Sequence, residues 1–163
     1  MRVVSIVVMV MSVNLNGSDG QHFHIFLSGK PRMAVEESLR GARARLNRAR
    51  CEKLFEEFAD QQGLSLAARL RSTGLTGGGQ LASLYFVAAD EDRCRADETV
   101  AAFTAPGSRV IHVCATRFSQ WFALKTRDGE LLLIHELLHS LGLGENPPRS
   151  SDITAKVRAR CGD

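Results

Sequence analysis

The chain contains no apolar run of the ~18 residues that a membrane-spanning helix requires; the longest candidate, Val3 to Val13, is interrupted by Ser5 and Ser12. It has no Cys-x-x-Cys pair either. Cys51, Cys94, Cys114 and Cys161 stand 43, 20 and 47 positions apart, which excludes a local zinc knuckle and a thioredoxin-type redox pair. Aromatic hydroxyl and indole groups are scarce, with one Tyr and one Trp. Neither charge sign dominates: 21 Lys and Arg against 18 Asp and Glu leave +3, well short of the bias of dedicated nucleic-acid binders. The glycine-rich stretch from Thr73 to Gln80 lacks the Gly-Lys-Ser/Thr ending of a phosphate-binding loop, and no internal repeat or low-complexity tract is present.

What remains is a chain of 163 residues with 44% apolar side chains, long enough to bury one core and too short to divide comfortably into two. Residues 21–163 are expected to form a single domain. Residues 1–20 read as a secretory signal or as a buried N-terminal strand: Arg2 precedes the apolar stretch, and Ser18-Asp19-Gly20 offers small residues for cleavage. With an even number of cysteines, the signal-like start predicts two disulfides in an oxidising, extracytoplasmic compartment. Three connectivities are open. The expected one joins Cys51 to Cys94 and Cys114 to Cys161, because a bond at Cys161 would tie down a chain end that otherwise frays.

Hydrophobic periodicity predicts the main elements. His22 to Leu27 reads as a strand, broken by Gly29-Lys30-Pro31. A long helix from Arg32 to Phe58 follows, with Val35, Leu39, Ala42 and Leu46 on one face and a change of phase near Cys51. Its other face carries arginines at 40, 43, 45, 48 and 50; Glu36 stands four residues before Arg40 and Glu52 four after Arg48, which predicts a self-paired, solvated face. Thr73 to Gln80 reads as a hinge or hairpin approach, Leu81 to Ala88 and Arg109 to Ala115 as buried strands, and Asp90 to Glu98 as a charged loop around Cys94. A buried helix then runs from Glu130 to Leu141 and stops at Gly142; a last short helix begins at Ser150 or Ser151 and runs through Arg160.

That buried helix carries the chemistry. His135 and His139 are four residues apart and project from one face one turn apart, so two imidazoles can reach one metal ion. Glu136 is rotated to the side, where its carboxylate can take a proton from water activated by the metal. A catalytic zinc takes three protein ligands and keeps one position open. No histidine follows His139, and the only acids are Glu145, Asp152 and Asp163. Glu145 is the expected third ligand, because a chain reversing at Gly142 returns it to the histidine face. Asp152 suits the start of the last helix.

These residues resemble a family. His135-Glu136-Leu137-Leu138-His139 is similar to the active-site helix of the zincin metallopeptidases. The run through Gly142 to Glu145 resembles the metzincin pattern His-Glu-x-x-His-x-x-Gly-x-x-His, with Glu145 in the last position. The resemblance implies zinc (Zn2+) held by His135, His139 and Glu145, with Glu136 as general base. It also implies an α+β, zincin-like fold, in which a twisted mixed sheet is backed by a long helix and faces a metal-bearing active-site helix. Two departures stand out. The methionine turn beneath the metal has no counterpart, since Met1, Met9, Met11 and Met33 all lie upstream. Only 18 residues follow Glu145, so a lower subdomain would be minimal.

The expected activity is therefore zinc-dependent hydrolysis of peptide bonds, with a peptide or protein substrate lying along an edge strand and no nucleic-acid partner. Two alternatives are a small zinc endoribonuclease, using the basic helix, and a metal-binding interaction domain without catalysis. Tyr85 could polarise a carbonyl or pack in the core. Trp121, with Phe118 and Phe122, is expected to pack beneath the active-site helix, and His22, His24 and His112 are expected to be non-ligands.

Overall fold

The computed structural model describes residues 23–163. The proposed signal or strand at 1–20 and His22 lie outside them. The architecture is α+β, with a four-stranded mixed sheet and several helices. In chain order the strands are β1 (His24–Phe26), β2 (Tyr85–Ala88), β3 (Ala102–Phe103) and β4 (Val110–Val113). Their spatial order is β1-β2-β4-β3. The first three in space are parallel, with Ile25 opposite Phe86 and Phe86 opposite Ile111; β3 lies antiparallel to β4 at the edge, with Phe103 opposite His112. Ile25, Phe86, Ile111 and Val113 point into the core, which follows from the two-residue alternation of strands.

The first helix, α1 (Gly29–Leu46), starts earlier than expected. Pro31 does not break it, because a proline in the first turn sacrifices no intrahelical hydrogen bond. Its buried face, Val35, Leu39, Ala42 and Leu46, is the predicted one. The predicted continuation to Phe58 is interrupted: Arg48 is extended, and the chain restarts as α2 (Ala49–Glu52) followed by a 3₁₀ turn, Lys53–Glu56. The phase change seen in the sequence is this break.

The glycine-rich stretch is not a hinge. Ser65 caps α3 (Leu66–Thr73), Gly74 ends it in the left-handed region at φ 70°, and Thr76 caps α4 (Gly77–Ala82) by accepting from the Gly79 N–H at 3.1 Å. A Cβ on Gly77 would stand 2.9 Å from the Phe55 ring, so glycine here permits close helix packing. Leu81 consequently belongs to a helix, and strand β2 is limited to Tyr85–Ala88. The charged segment around Cys94 is also helical, α5 (Glu91–Ala96), capped by Asp90.

Helix α6 (Ala115–Phe122) was not anticipated. It leads into α7 (Thr126–Ser140), which packs against α1 and buries both its aliphatic residues and its histidines. The last helix is α8 (Ser150–Cys161).

Both disulfides exist, but the expected pairing is wrong. Cys51 bonds Cys161 and Cys94 bonds Cys114, with Cα separations of 4.6 and 5.7 Å. Helix α8 returns across α2, which brings Cys161 over Cys51, while α5 lies beside the end of β4, where Cys114 stands. The chain end is tied down as anticipated, through a different partner. Closing a loop of 110 residues restricts the unfolded chain by about 4–5 kcal/mol in the chain-entropy picture.

The arginine face is largely self-engaged. Arg40 pairs with Glu36 and Glu37, Arg45 with Glu130 and the Cys161 carbonyl, and Arg50 with Asp163 and the Ala159 carbonyl. Arg48 reaches the Asp163 carbonyl and not Glu52. Among the described residues no helix is long and apolar enough to cross a membrane.

Candidate metal centre

Helix α7 places His135 and His139 on one face, with their Nε2 atoms 3.0 Å apart. Both rings are buried. Past α7 the backbone turns at Gly142, whose φ of 106° is in the region that favours glycine. This reversal returns Glu145, whose Oε1 lies 3.3 Å from His139 Nε2 and 3.7 Å from His135 Nε2. The three donor atoms lie within 4.8 Å of one another.

The outer ring nitrogens decide which way the inner ones face. His139 Nδ1 is 2.8 Å from the Leu143 carbonyl. A carbonyl only accepts, so Nδ1 carries the proton and the lone pair of the neutral ring sits on Nε2, aimed at the cluster. His135 Nδ1 meets the Thr154 hydroxyl of α8 at 3.1 Å, a contact that fixes the ring's orientation and is compatible with the same tautomer, since a hydroxyl both accepts and donates. Burial first, then the repulsion that two protonated rings side by side would suffer, lowers the His135 pKa to about 4 against the opposing pull of Glu145. Its ring is therefore neutral, and able to ligate, at neutral pH.

This donor set fits a divalent cation. Four ligands at about 2.0–2.1 Å around tetrahedral zinc stand roughly 3.3 Å from one another. The observed 3.0, 3.3 and 3.7 Å bracket that spacing. Two inward lone pairs and a carboxylate at such range repel or compete for one proton unless a cation lies between them. His135, His139 and Glu145 could thus form a metal-binding site that loosely resembles the zincin type.

Glu136 lies beside the cluster, nine-tenths or more removed from solvent, with Oε2 buried and without a hydrogen-bond partner. Burial, reinforced by the charge of Glu145 and opposed by the Thr104 backbone, holds its carboxyl well above the ordinary value. Asp152 is not at the cluster; it is exposed and pairs with Arg149 at 3.1 Å. Thr154 went unnoticed in the sequence, where nothing local links it to His135.

A cleft of about 1460 Å³ opens over these residues. Strand β3 and the loop after it, Thr104 to Ser108, form one side, and that loop is tied to α7 by the Gly107 N–H donating to the His139 carbonyl at 2.8 Å. Trp121 stands at the rim, 41% exposed, and does not pack beneath α7 as expected; Phe118 is the buried member of that trio. Tyr85 does not line the cleft. It packs against the His24 and Phe26 rings under Arg109, while His112 stacks on Phe103.

The fold and site together define an α+β domain with a three-ligand candidate metal centre. Comparison with family models, curated proteins and solved structures finds no match to this chain.

Proposed function

We propose that residues 21–163 form one zincin-like, zinc-dependent metallopeptidase domain, with His135, His139 and Glu145 as ligands and Glu136 as general base. The observation that carries this reading is the company of Glu136: a buried carboxylate with an unpartnered oxygen, in the same cleft as three convergent donors. A metal-binding role alone gives no reason to bury a second acidic group there at the cost of desolvation.

Zinc at this site supplies Lewis acidity toward a substrate carbonyl and toward water. Glu136 takes a proton from the attacking water and delivers it to the leaving amine, and its unpartnered buried oxygen is free to carry that proton between the two. The Leu143 carbonyl holds His139 in the ligating tautomer, and Thr154 orients the His135 ring. The substrate lies extended beside β3, an edge strand of the sheet among the described residues. Two disulfides favour an extracytoplasmic location, where such bonds persist. The arginines that would serve a nuclease are for the most part engaged within the chain, so the peptide reading is preferred.

The test is zinc analysis and peptide turnover for the wild type and Glu136→Gln. The variant is expected to keep its zinc and lose turnover by ~10²- to 10⁴-fold. Unchanged turnover would remove Glu136 as the base, and absence of stoichiometric zinc in the wild type would remove the proposal.

A further inference from the structure

The corner between α6 and α7 presents its apolar side chains to water. Leu124 is 96% exposed and Trp121, one helical turn before it, 41%. From Trp121 to Arg127 the chain reads Trp-Phe-Ala-Leu-Lys-Thr-Arg, with two cations and no acid. Lys125 is exposed, and Arg127 reaches Asp163 only at 3.6 Å, between two exposed side chains, where an ion pair is worth little. Arg117 adds a guanidinium 5.6 Å from the Trp121 ring centre.

We propose that this corner is an interfacial tip that docks on an anionic lipid surface, Leu124 entering the acyl boundary, Trp121 seating at headgroup level, and Lys125 and Arg127 meeting the lipid charge. Tryptophan beside aliphatic residues, flanked by cations, is the combination that partitions into such an interface. The shape argues for a fluid partner. A stable dimer needs a broad face of about 800 Å² per copy, whereas a single protruding leucine with one tryptophan behind it is a point. A point gains by insertion into a yielding surface and little by meeting a rigid one. The attachment is weak, reversible and salt-sensitive, since it has one short apolar anchor and few charges. It brings the rim of the cleft to the membrane surface and does not depend on the peptidase reading.

Trp121 is the chain's only tryptophan, so its emission reports on this corner directly. The full chain is titrated with vesicles of phosphatidylcholine alone and of phosphatidylcholine with phosphatidylserine, with co-sedimentation read in parallel. A blue shift and co-sedimentation with the anionic vesicles alone, both reversed by salt, are expected. Leu124→Asp should lower the partition coefficient about tenfold or more, and Lys125→Glu about fivefold. Leu124 and Lys125 are exposed, so neither variant threatens the fold, which unchanged thermal unfolding verifies. No shift with anionic vesicles, equal binding by Leu124→Asp, or a blue shift that grows with protein concentration without vesicles would each overturn the proposal, the last by identifying a second copy as the occupant.

Discussion

Asp60 and Gly142, 82 positions apart in the chain, touch so closely that a Cβ on the glycine would stand 3.0 Å from the Cβ of Asp60. Gly142 also has φ 106°. Two independent demands therefore exclude a side chain at the turn that returns Glu145 to the histidines. Gly142→Ala should cost about 2 kcal/mol or more, seen as a fall in Tm of roughly 4–8 °C. Zinc affinity should fall with it, because the turn sets the position of Glu145. An alanine variant of wild-type Tm and zinc affinity would show that the turn is not constrained as described.

Asp60 itself supplies a pH dependence. Burial pushes its pKa up, but N–H donors from Leu64 and Gln62 and the Arg69 guanidinium outweigh that, and the net effect is a lowered value. A carboxylate with a lowered folded pKa adds stability above its unfolded pKa, near ~3.9, and loses it as pH falls through the folded value. Asp60→Asn keeps an acceptor for the two N–H groups and removes the charge facing Arg69. The wild type should exceed this variant in stability at neutral pH, and the gap should close below about pH 4 in denaturant titrations. A gap independent of pH would mean that Asp60 acts by packing alone.

The metal affinity should separate three residues of the C-terminal segment. Glu145→Ala removes a donor and should weaken zinc binding by well over tenfold, whereas Asp152→Ala, which breaks only an exposed pair with Arg149, should leave it unchanged. Thr154→Val deletes the partner of His135 Nδ1 while preserving shape, and a loss of about 10- to 100-fold is expected. Competition against a chromophoric chelator measures all three. If Asp152→Ala proved the damaging change, the ligand assignment would be wrong.

The sequence made the helix of the site legible because four-residue spacing and apolar periodicity are local properties. His135, His139 and the return of Glu145 past Gly142 needed only the geometry of a helix and its end. Thr154 was invisible because its contact with His135 is tertiary, made by α8 crossing α7. The disulfide pairing failed for the same reason: the order of cysteines along the chain says nothing of α8 returning to Cys51. Local chemistry decides two further elements: the Thr76 cap turns three glycines into the start of a helix, and the Asp90 cap turns a charged loop into α5.

Helix α5 buries none of its residues, yet it contributes Arg93 and Ala96 to the wall of the cleft. Apolar packing therefore cannot be what holds it there. Three attachments do: the Cys94–Cys114 disulfide; Arg93, whose guanidinium lies 5.1 Å from the Phe103 ring centre; and Arg117, whose guanidinium donates to the carbonyls of Cys94 at 2.7 Å, Asp97 at 2.8 Å and Val100. Hydrogen bonds from a charged donor are worth more than neutral ones, and here one side chain satisfies three acceptors at once. Arg117→Ala should leave the core and the Tm little changed while amide exchange between Glu91 and Val100 rises by about tenfold or more, because local opening no longer breaks those bonds. Removing the disulfide in addition, by Cys94→Ser with Cys114→Ser, should raise exchange further. If exchange in this segment stayed at the wild-type rate in Arg117→Ala, the wall would be held without Arg117, which would then have no positioning role.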